Sequence, residues 1–358
     1  MTDNSEYTTQ QLRCLGWNSS IARDFDRLAP AETEPGRVIT VSREVSRVAA
    51  SDGELICTPT GRFLSDSELR PVVGDWAAVR RHQGREAGLI EGLMPRSSSL
   101  GRRAAEDRSE QQILAANVDT VFIVSGMDRD FNIHRIERYL TLAYDSGAVP
   151  AVVLNKLDLV DSPSEYVEEV EAVAFATEVV STSGIDGTGV EELRALMPEG
   201  STSVFVGSSG AGKSSLVNRL MGSELRRTGD VRAGDGKGRH VSVDRMLLTV
   251  PGGGCIIDTP GLREVGLTAH KTGLASSFTD ILELAAHCRF NDCSHAHEPG
   301  CAVRAAIEKG EISEDRLESY RKQLREIEFH EDRESALEKK REWHKSITKQ
   351  MRHWKKGR

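Results

Sequence analysis

The run Gly207-Ser208-Ser209-Gly210-Ala211-Gly212-Lys213-Ser214 fits the pattern G-x-x-x-x-G-K-[ST], in which backbone N–H groups of a glycine-rich turn wrap phosphate oxygens. Lys213 would neutralise the β- and γ-phosphate oxygens, the N-terminus of the following helix would add a favourable dipole, and the Ser214 hydroxyl would ligate Mg²⁺. Ser215 extends the same run. Asp258-Thr259-Pro260-Gly261 closes the apolar stretch CIID. An aspartate at such a strand end holds Mg²⁺ through water, and Gly261 can bring its N–H to a γ-phosphate. Asn155-Lys156-Leu157-Asp158 closes a second apolar stretch, VPAVVL. Asp158 can accept from the ring N1–H and the exocyclic amine of guanine, donors that adenine does not present in that arrangement. Thr182-Ser183-Gly184, after a further strand, could complete the base pocket with backbone N–H groups. Alone, a D-x-P-G turn or a four-residue tetrad is common. Together with the phosphate loop they point to GTP or GDP with Mg²⁺ and argue against an ATP site.

A second constellation is Cys288-x4-Cys293-x-His295-x5-Cys301. Four thiolate and imidazole ligands at this density suit one tetrahedral Zn²⁺ with no open position, a structural metal. His297 competes with His295 as the fourth ligand. Cys14, Cys57 and Cys255 are scattered and receive no role, Cys255 lying in an apolar run where a buried thiol is expected. From Lys339 to Arg358 the chain is densely basic, interleaved with Trp343 and Trp354. Such a segment suits RNA phosphates and base stacking, the alternative being a solvated helix with core-facing tryptophans.

The elements that must position these residues divide the chain into several domains. Residues 1–36 are polar and end in APAETEPG, which predicts a loose N-terminal arm. Over 37–108 short β-rich runs (RVITVS, ELICTP, DWAAVRR) between turn formers predict a small β-barrel. It could be an OB-fold that binds oligonucleotides or a plain adaptor, and Arg80, Arg81, Arg85, Arg96, Arg102 and Arg103 lean towards nucleic acid. Over 109–272 apolar strands alternate with amphipathic helices (VDTVFIV, HRIERYLTLAYDSG, VPAVVLN), the texture of an α/β P-loop domain with a parallel sheet. Residues 273–358 read as a helical zinc-binding domain ending in the basic tail. The net charge of −8 disfavours nucleic acid only as a global sum, and local patches decide. No membrane span or leader is evident, six cysteines without a secretory signal predict a reducing, cytoplasmic setting, and no heptads appear, which predicts a monomer.

In most GTPases the base-reading tetrad follows the phosphate loop; here Asn155–Asp158 precedes Gly207–Ser214 and Asp258–Gly261, so the motifs are circularly permuted. With Val73-Gly74-Asp75-Trp76, Ala116-Asn117-Val118-Asp119, Phe131-Asn132, Arg138-Tyr139-Leu140, NKLD, GSSGAGKSS, DTPG and the Cys/His cluster, the chain resembles the ribosome small-subunit-dependent GTPase A family (RsgA) over nearly its whole length. The resemblance implies an OB-fold, a circularly permuted GTPase domain and a zinc domain in which His295 rather than His297 is the ligand. It also implies action in late maturation of the small (30S) ribosomal subunit, with the 16S rRNA as contact. The family's switch I typically reads G-x-G-x-H-T-T-T; this chain has Gly236-Lys237-Gly238-Arg239-His240-Val241-Ser242-Val243. His240 matches the histidine thought to position the attacking water, and Ser242 keeps a hydroxyl for Mg²⁺. Leu262 occupies the position after Gly261, where many GTPases place a water-orienting glutamine, so intrinsic turnover is expected to be slow. The competing reading is a regulatory GTPase, or a nucleotide-gated binder, of another structured RNA.

Overall fold

The computed structural model describes residues 10–42, 45–61, 63, 70–82, 84–103, 111–222, 245–258, 270–329 and 331. Strands β1 (Glu34–Ser42), β2 (Val45–Ala50), β3 (Gly53–Pro59), β4 (Trp76–Arg81) and β5 (Ala87–Leu93) pair in the order β1-β2-β3-β5-β4, and β4 closes onto β1. Only β3 and β5 run parallel within this closed ring. Alternation of side chains fills the interior with Val38, Val48, Leu55, Cys57, Ala77, Val79 and Ile90. This is the five-stranded barrel expected from the β-rich runs, with β1 starting at Glu34 rather than at 37.

The expected loose arm is, in its described part, ordered. Residues 10–14 are helical and helix α1 (Ser19–Leu28) follows, capped by Asn18, whose side chain accepts from Ser20 N and Ile21 N. Leu12, Leu15, Trp17, Ile21, Phe25 and Ala29 pack on Trp76, Ala78 and Met94. The Trp17 and Trp76 rings meet edge to face at 5.1 Å. The polar composition of the segment hid an apolar residue at every turn.

Three of the six arginines assigned to a nucleic-acid face are engaged within the barrel. Arg80 forks onto Glu91 at 2.8 and 3.0 Å, and Arg81 pairs with Glu34 at 2.7 Å. Arg96 forks onto the fully buried Asp75 at 2.7 and 2.8 Å. All three guanidiniums tie parts of the barrel together.

A hairpin of β6 (Ser99–Arg103) and β7 (Gln111–Ala116) leads into the second sheet. There β8 (Thr120–Gly126), β9 (Val149–Asn155), β10 (Glu178–Ser181), β11 (Thr202–Val206) and β13 (Cys255–Asp258) are parallel in the order β10-β9-β8-β11-β13. β12 (Met246–Thr249) adds an antiparallel edge and touches the barrel through Thr40 opposite Met246. Alternate residues of each strand serve opposite faces. Ile123 and Leu154 share one core with Val204, Ile257 and the inner faces of α2 (Ile133–Ser146) and α3 (Pro163–Glu171), while Phe122, Val153, Phe205 and Ile256 share another with α4 (Val190–Ala195) and α5 (Lys213–Met221).

The seam between barrel and parallel sheet is built around Arg37 and Asn117. Arg37, fully buried, donates to Leu15 O at 2.5 Å, Asn117 O at 3.1 Å and Thr202 Oγ1 at 3.1 Å, and its guanidinium lies 4.9 Å from the Trp76 ring centre. Burial pulls its pKa down to about 10, so it stays charged at neutral pH. Asn117 spans the same seam, accepting from Ser97 N at 3.0 Å and donating to Gly74 O at 2.9 Å.

The C-terminal helices α6 (Lys271–Ser277), α7 (Thr279–Ala285), α8 (Ala302–Glu308) and α9 (314–329) rest on α2. A Cβ on Gly273 would lie 2.3 Å from Thr141 O, so α6 crosses α2 at backbone contact. Arg316, on α9, donates to Glu137 at 2.7 Å, to both oxygens of Asp280 at 3.0 Å and to Ser277 O at 2.7 Å, and it stacks 4.0 Å above the Phe278 ring centre. Glu137 belongs to α2 and is 1 % exposed. Arg316→Ala should therefore leave the buried Glu137 with only His134, at 3.1 Å, among the described residues and cost about 3–5 kcal/mol, read as an earlier urea transition of the C-terminal helices.

Candidate nucleotide site and metal centre

Five parallel strands end on one edge of the sheet, and every nucleotide motif that lies among the described residues is on that edge. β11 runs into the turn 207–212, and α5 starts at Lys213. Gly207 and Gly212 take φ of 138° and 94°, and neither position has room for a side chain. A Cβ would lie 2.1 Å from Val124 O at Gly207 and 2.0 Å from Asn155 Nδ2 at Gly212. Ser208, Ser209, Gly210 and Ala211 form the body of the turn, and Lys213 Nζ folds over it, donating to Gly207 O at 2.6 Å and Ser208 O at 2.5 Å. The ammonium thus sits over carbonyls of the turn whose N–H groups would face phosphates. Ser214 and Ser215 lie in the first turn of α5, and a Cβ on Gly184 would be 2.9 Å from Ser215 Cβ, so the base-side loop packs directly on the phosphate-side helix.

One side chain joins these loops. Asn155, at the end of β9 and 2 % exposed, donates to Ala211 O at 2.8 Å and accepts from Gly184 N at 3.0 Å and Thr182 Oγ1 at 3.2 Å. Lys156 then takes the left-handed conformation at φ 70°, and Leu157 and Asp158 enter a 3₁₀ turn (Leu157–Leu159). That reversal presents Asp158 beside Ser183, whose hydroxyl donates to Asp158 Oδ1 at 2.6 Å. With one oxygen held, the carboxylate is oriented before any base arrives. Asp258 ends β13, the strand beside β11, where an aspartate can reach a metal at the phosphate loop. Gly261, His240, Ser242, Leu262 and the basic tail 339–358 lie outside the described residues.

Two site residues escaped the sequence reading. Lys156 Nζ is paired with Asp128, and Ser208 Oγ donates to Asp130. Asp128 Oδ1 accepts from Asp130 N at 3.0 Å, and Arg135 holds Asp130 Oδ2 at 2.8 Å. Burial works against an ionised Asp128, but Lys156 and the Asp130 N–H outweigh it and hold its pKa below the ordinary value. Asp130 is lowered by Arg135 and then by Ser208. The available signal was two acids directly after an apolar strand, next to Phe131-Asn132.

Cys288, Cys293, His295 and Cys301 come together as the sequence predicts, with their ligand atoms within 4.8 Å of one another. Cys288 and Cys301 sulfurs are 3.8 Å apart, and His295 Nδ1 lies 3.6 and 3.5 Å from them. Ligands on a tetrahedral ion with S bonds near 2.3 Å and N bonds near 2.0–2.1 Å would sit about 3.8 Å and about 3.6 Å apart respectively, so the spacing fits a bound metal. His295 is brought in by a left-handed backbone at φ 59°, and burial lowers its pKa, leaving a neutral ring free to ligate. His297 is not in the cluster, and its backbone N–H donates to Glu298 at 3.1 Å. Glu298 also accepts from Ser294 N and Ala296 N at 3.0 and 2.9 Å, which fixes the ligand loop.

Comparison with known proteins agrees with this geometry. A family model described as RsgA GTPase matches residues 93–268. The small ribosomal subunit biogenesis GTPase RsgA of Syntrophotalea carbinolica is 42 % identical over 327 residues, 88 % of this chain and 89 % of that protein. Its counterpart in Streptomyces coelicolor is 43 % identical over 331 residues, 91 % and 89 % of the two chains. Among solved structures, YjeQ from Thermotoga maritima is similar with a TM-score of 0.61 and 28 % identity, covering 82 % of this chain and 98 % of that one. YloQ, described as a circularly permuted GTPase, shares the fold at a TM-score of 0.61 and 23 % identity over 83 % and 96 %.

Because Asn155 satisfies Ala211 O, Gly184 N and the buried Thr182 hydroxyl together, Asn155→Ala should cost about 2–4 kcal/mol of stability even without nucleotide. Urea unfolding followed by circular dichroism measures it.

Proposed function

The chain belongs to the RsgA GTPase family, and on that premise we propose that it is an Mg²⁺-dependent GTPase acting in late maturation of the small (30S) ribosomal subunit. The proposal includes stimulation of hydrolysis by the subunit and release from it on hydrolysis. The observation that carries the nucleotide reading is the Asn155 side chain, which fixes the phosphate turn and the base-side loop in one hydrogen-bonded unit with Asp158 at its mouth. A site so tied reads base and phosphates of one ligand together. The proposed nucleotide contacts are Asn155, Lys156, Leu157, Asp158, Thr182, Ser183, Gly207 to Ser215, Asp258 and Gly261. Ser214, Ser242 and Asp258 would hold Mg²⁺, which screens phosphate charge, and His240 would orient the attacking water.

The metal of the Cys288/Cys293/His295/Cys301 centre is proposed to be a single structural Zn²⁺, supported by an all-N/S donor set with no fifth position offered. We assign rRNA contact to the barrel, the zinc domain and the basic tail. The units 1–36, 37–108, 109–272 and 273–358 are proposed as the functional divisions of a chain that works as a monomer in the cytoplasm. No helix among the described residues is long and apolar enough to cross a membrane.

Steady-state GTP hydrolysis with and without small subunits, with large subunits and ATP as controls, tests this. The rate should rise with small subunits alone, and His240→Ala should lower the stimulated rate by about 10²-fold or more. Stimulation by large subunits or by unrelated RNA to the same degree would sink the ribosomal assignment. Elemental analysis should find one zinc per wild-type chain and a loss of it in Cys301→Ser; another metal, or none, would reject the zinc assignment.

A further inference from the structure

We infer that Asp130 is a positioning residue for the phosphate turn, coupled through Asp128 to the base-side Lys156. This rests on the guanine-nucleotide reading of the same site. Ser208, the second residue of the turn, has its hydroxyl committed to the Asp130 carboxylate. Arg135 holds the same carboxylate at 2.8 Å, and Arg135 is itself placed by Asn132, which caps α2 by accepting from Arg135 N at 2.9 Å. Asp130 N donates to Asp128 Oδ1 at 3.0 Å, and the other Asp128 oxygen pairs with Lys156. The loop at 127–132 therefore carries two carboxylates, one anchored on the phosphate side of the site and the other on the base side. The stem of Lys156 leaves no slack: a Cβ on Gly126 would lie 3.2 Å from its Cδ and Cε.

An ionised carboxylate has no donor to offer a phosphate, so neither side chain is a direct phosphate ligand. Their placement instead fixes two groups that are ligands. Both carboxylates are held ionised by their partners, so the brace persists at neutral pH. A positioning role predicts that loss of Asp130 acts through Ser208. It also predicts that the effect falls equally on bound nucleotide and transition state, raising KM with little change in kcat.

The test is a double-mutant cycle on the full chain, read by equilibrium binding of mant-GDP at fixed Mg²⁺. Asp130→Ala and Ser208→Ala should each weaken binding by about five- to tenfold, and the double variant should be no weaker than either single one. Asp130→Asn keeps an acceptor for Ser208 and should recover most of the affinity, with unfolding temperatures of all variants within a few degrees of wild type. The GTP KM should follow the same factors while kcat stays within about twofold. Affinities of both single variants within twofold of wild type, or fully additive losses, overturn the inference. Competition by GDP, IDP and ADP on the wild type separates it from its premise. A wild type that does not prefer GDP overturns both, whereas a GDP-selective wild type with an additive cycle overturns the brace alone.

Discussion

The buried amide of Asn155 is the constraint on which the site depends. Its oxygen takes Gly184 N–H and the Thr182 hydroxyl, and its nitrogen gives to Ala211 O. Those groups lie in the loops after two strands, β10 and β11, while Asn155 itself ends a third, β9. A buried amide with every partner met contributes modestly, but leaving the partners unmet costs the full desolvation of each. The consequence is geometric as much as energetic. Gly212 must be glycine because Asn155 Nδ2 occupies the place of its Cβ, and the phosphate turn is thereby pressed against the tetrad.

That dependence explains why the order of the motifs along the chain is immaterial to the site. The parallel register of β9 with β8, β8 with β11 and β11 with β13 decides which strand ends are neighbours. Connections between them run elsewhere, so the tetrad strand can precede the phosphate strand without moving either. Permutation does fix what is attached at the ends of the sheet. The barrel enters through the β6–β7 hairpin and the Arg37 seam, and the C-terminal helices leave from the side of β13 and settle on α2.

Legibility in the sequence followed the range of the interaction. The phosphate turn, the tetrad and the Cys/His cluster were readable because their chemistry is contiguous or nearly so, and the barrel because alternation is a local pattern. The helix over Ser19–Leu28 was lost among polar residues, since Ile21 and Phe25, with Trp17 just ahead of the helix, make sense as an apolar face only against Trp76. The carboxylate partners of the arginines were hidden for the same reason. Nothing in the sequence shows that Arg96 faces Asp75, or that Arg316 reaches back to Glu137, because partners separated by a fold are invisible to spacing. Asp128 and Asp130 were missed although they adjoin a strand end, because a carboxylate beside a phosphate site looks unfavourable until its cations are seen.

Helix α2 ties these observations into one mechanical element. It starts at Asn132, which closes the loop bearing Asp128 and Asp130, and one turn later it presents Glu137 to Arg316. At its far end Asp145 accepts from Thr272 at 3.0 Å and meets His270 at 2.7 Å. Its inner face is locked to the sheet by Ile136, Tyr139, Leu140 and Ala143. A helix held by buried packing moves as a body or not at all. The loop that braces the nucleotide turn and the helices around the metal centre therefore share α2 as one support.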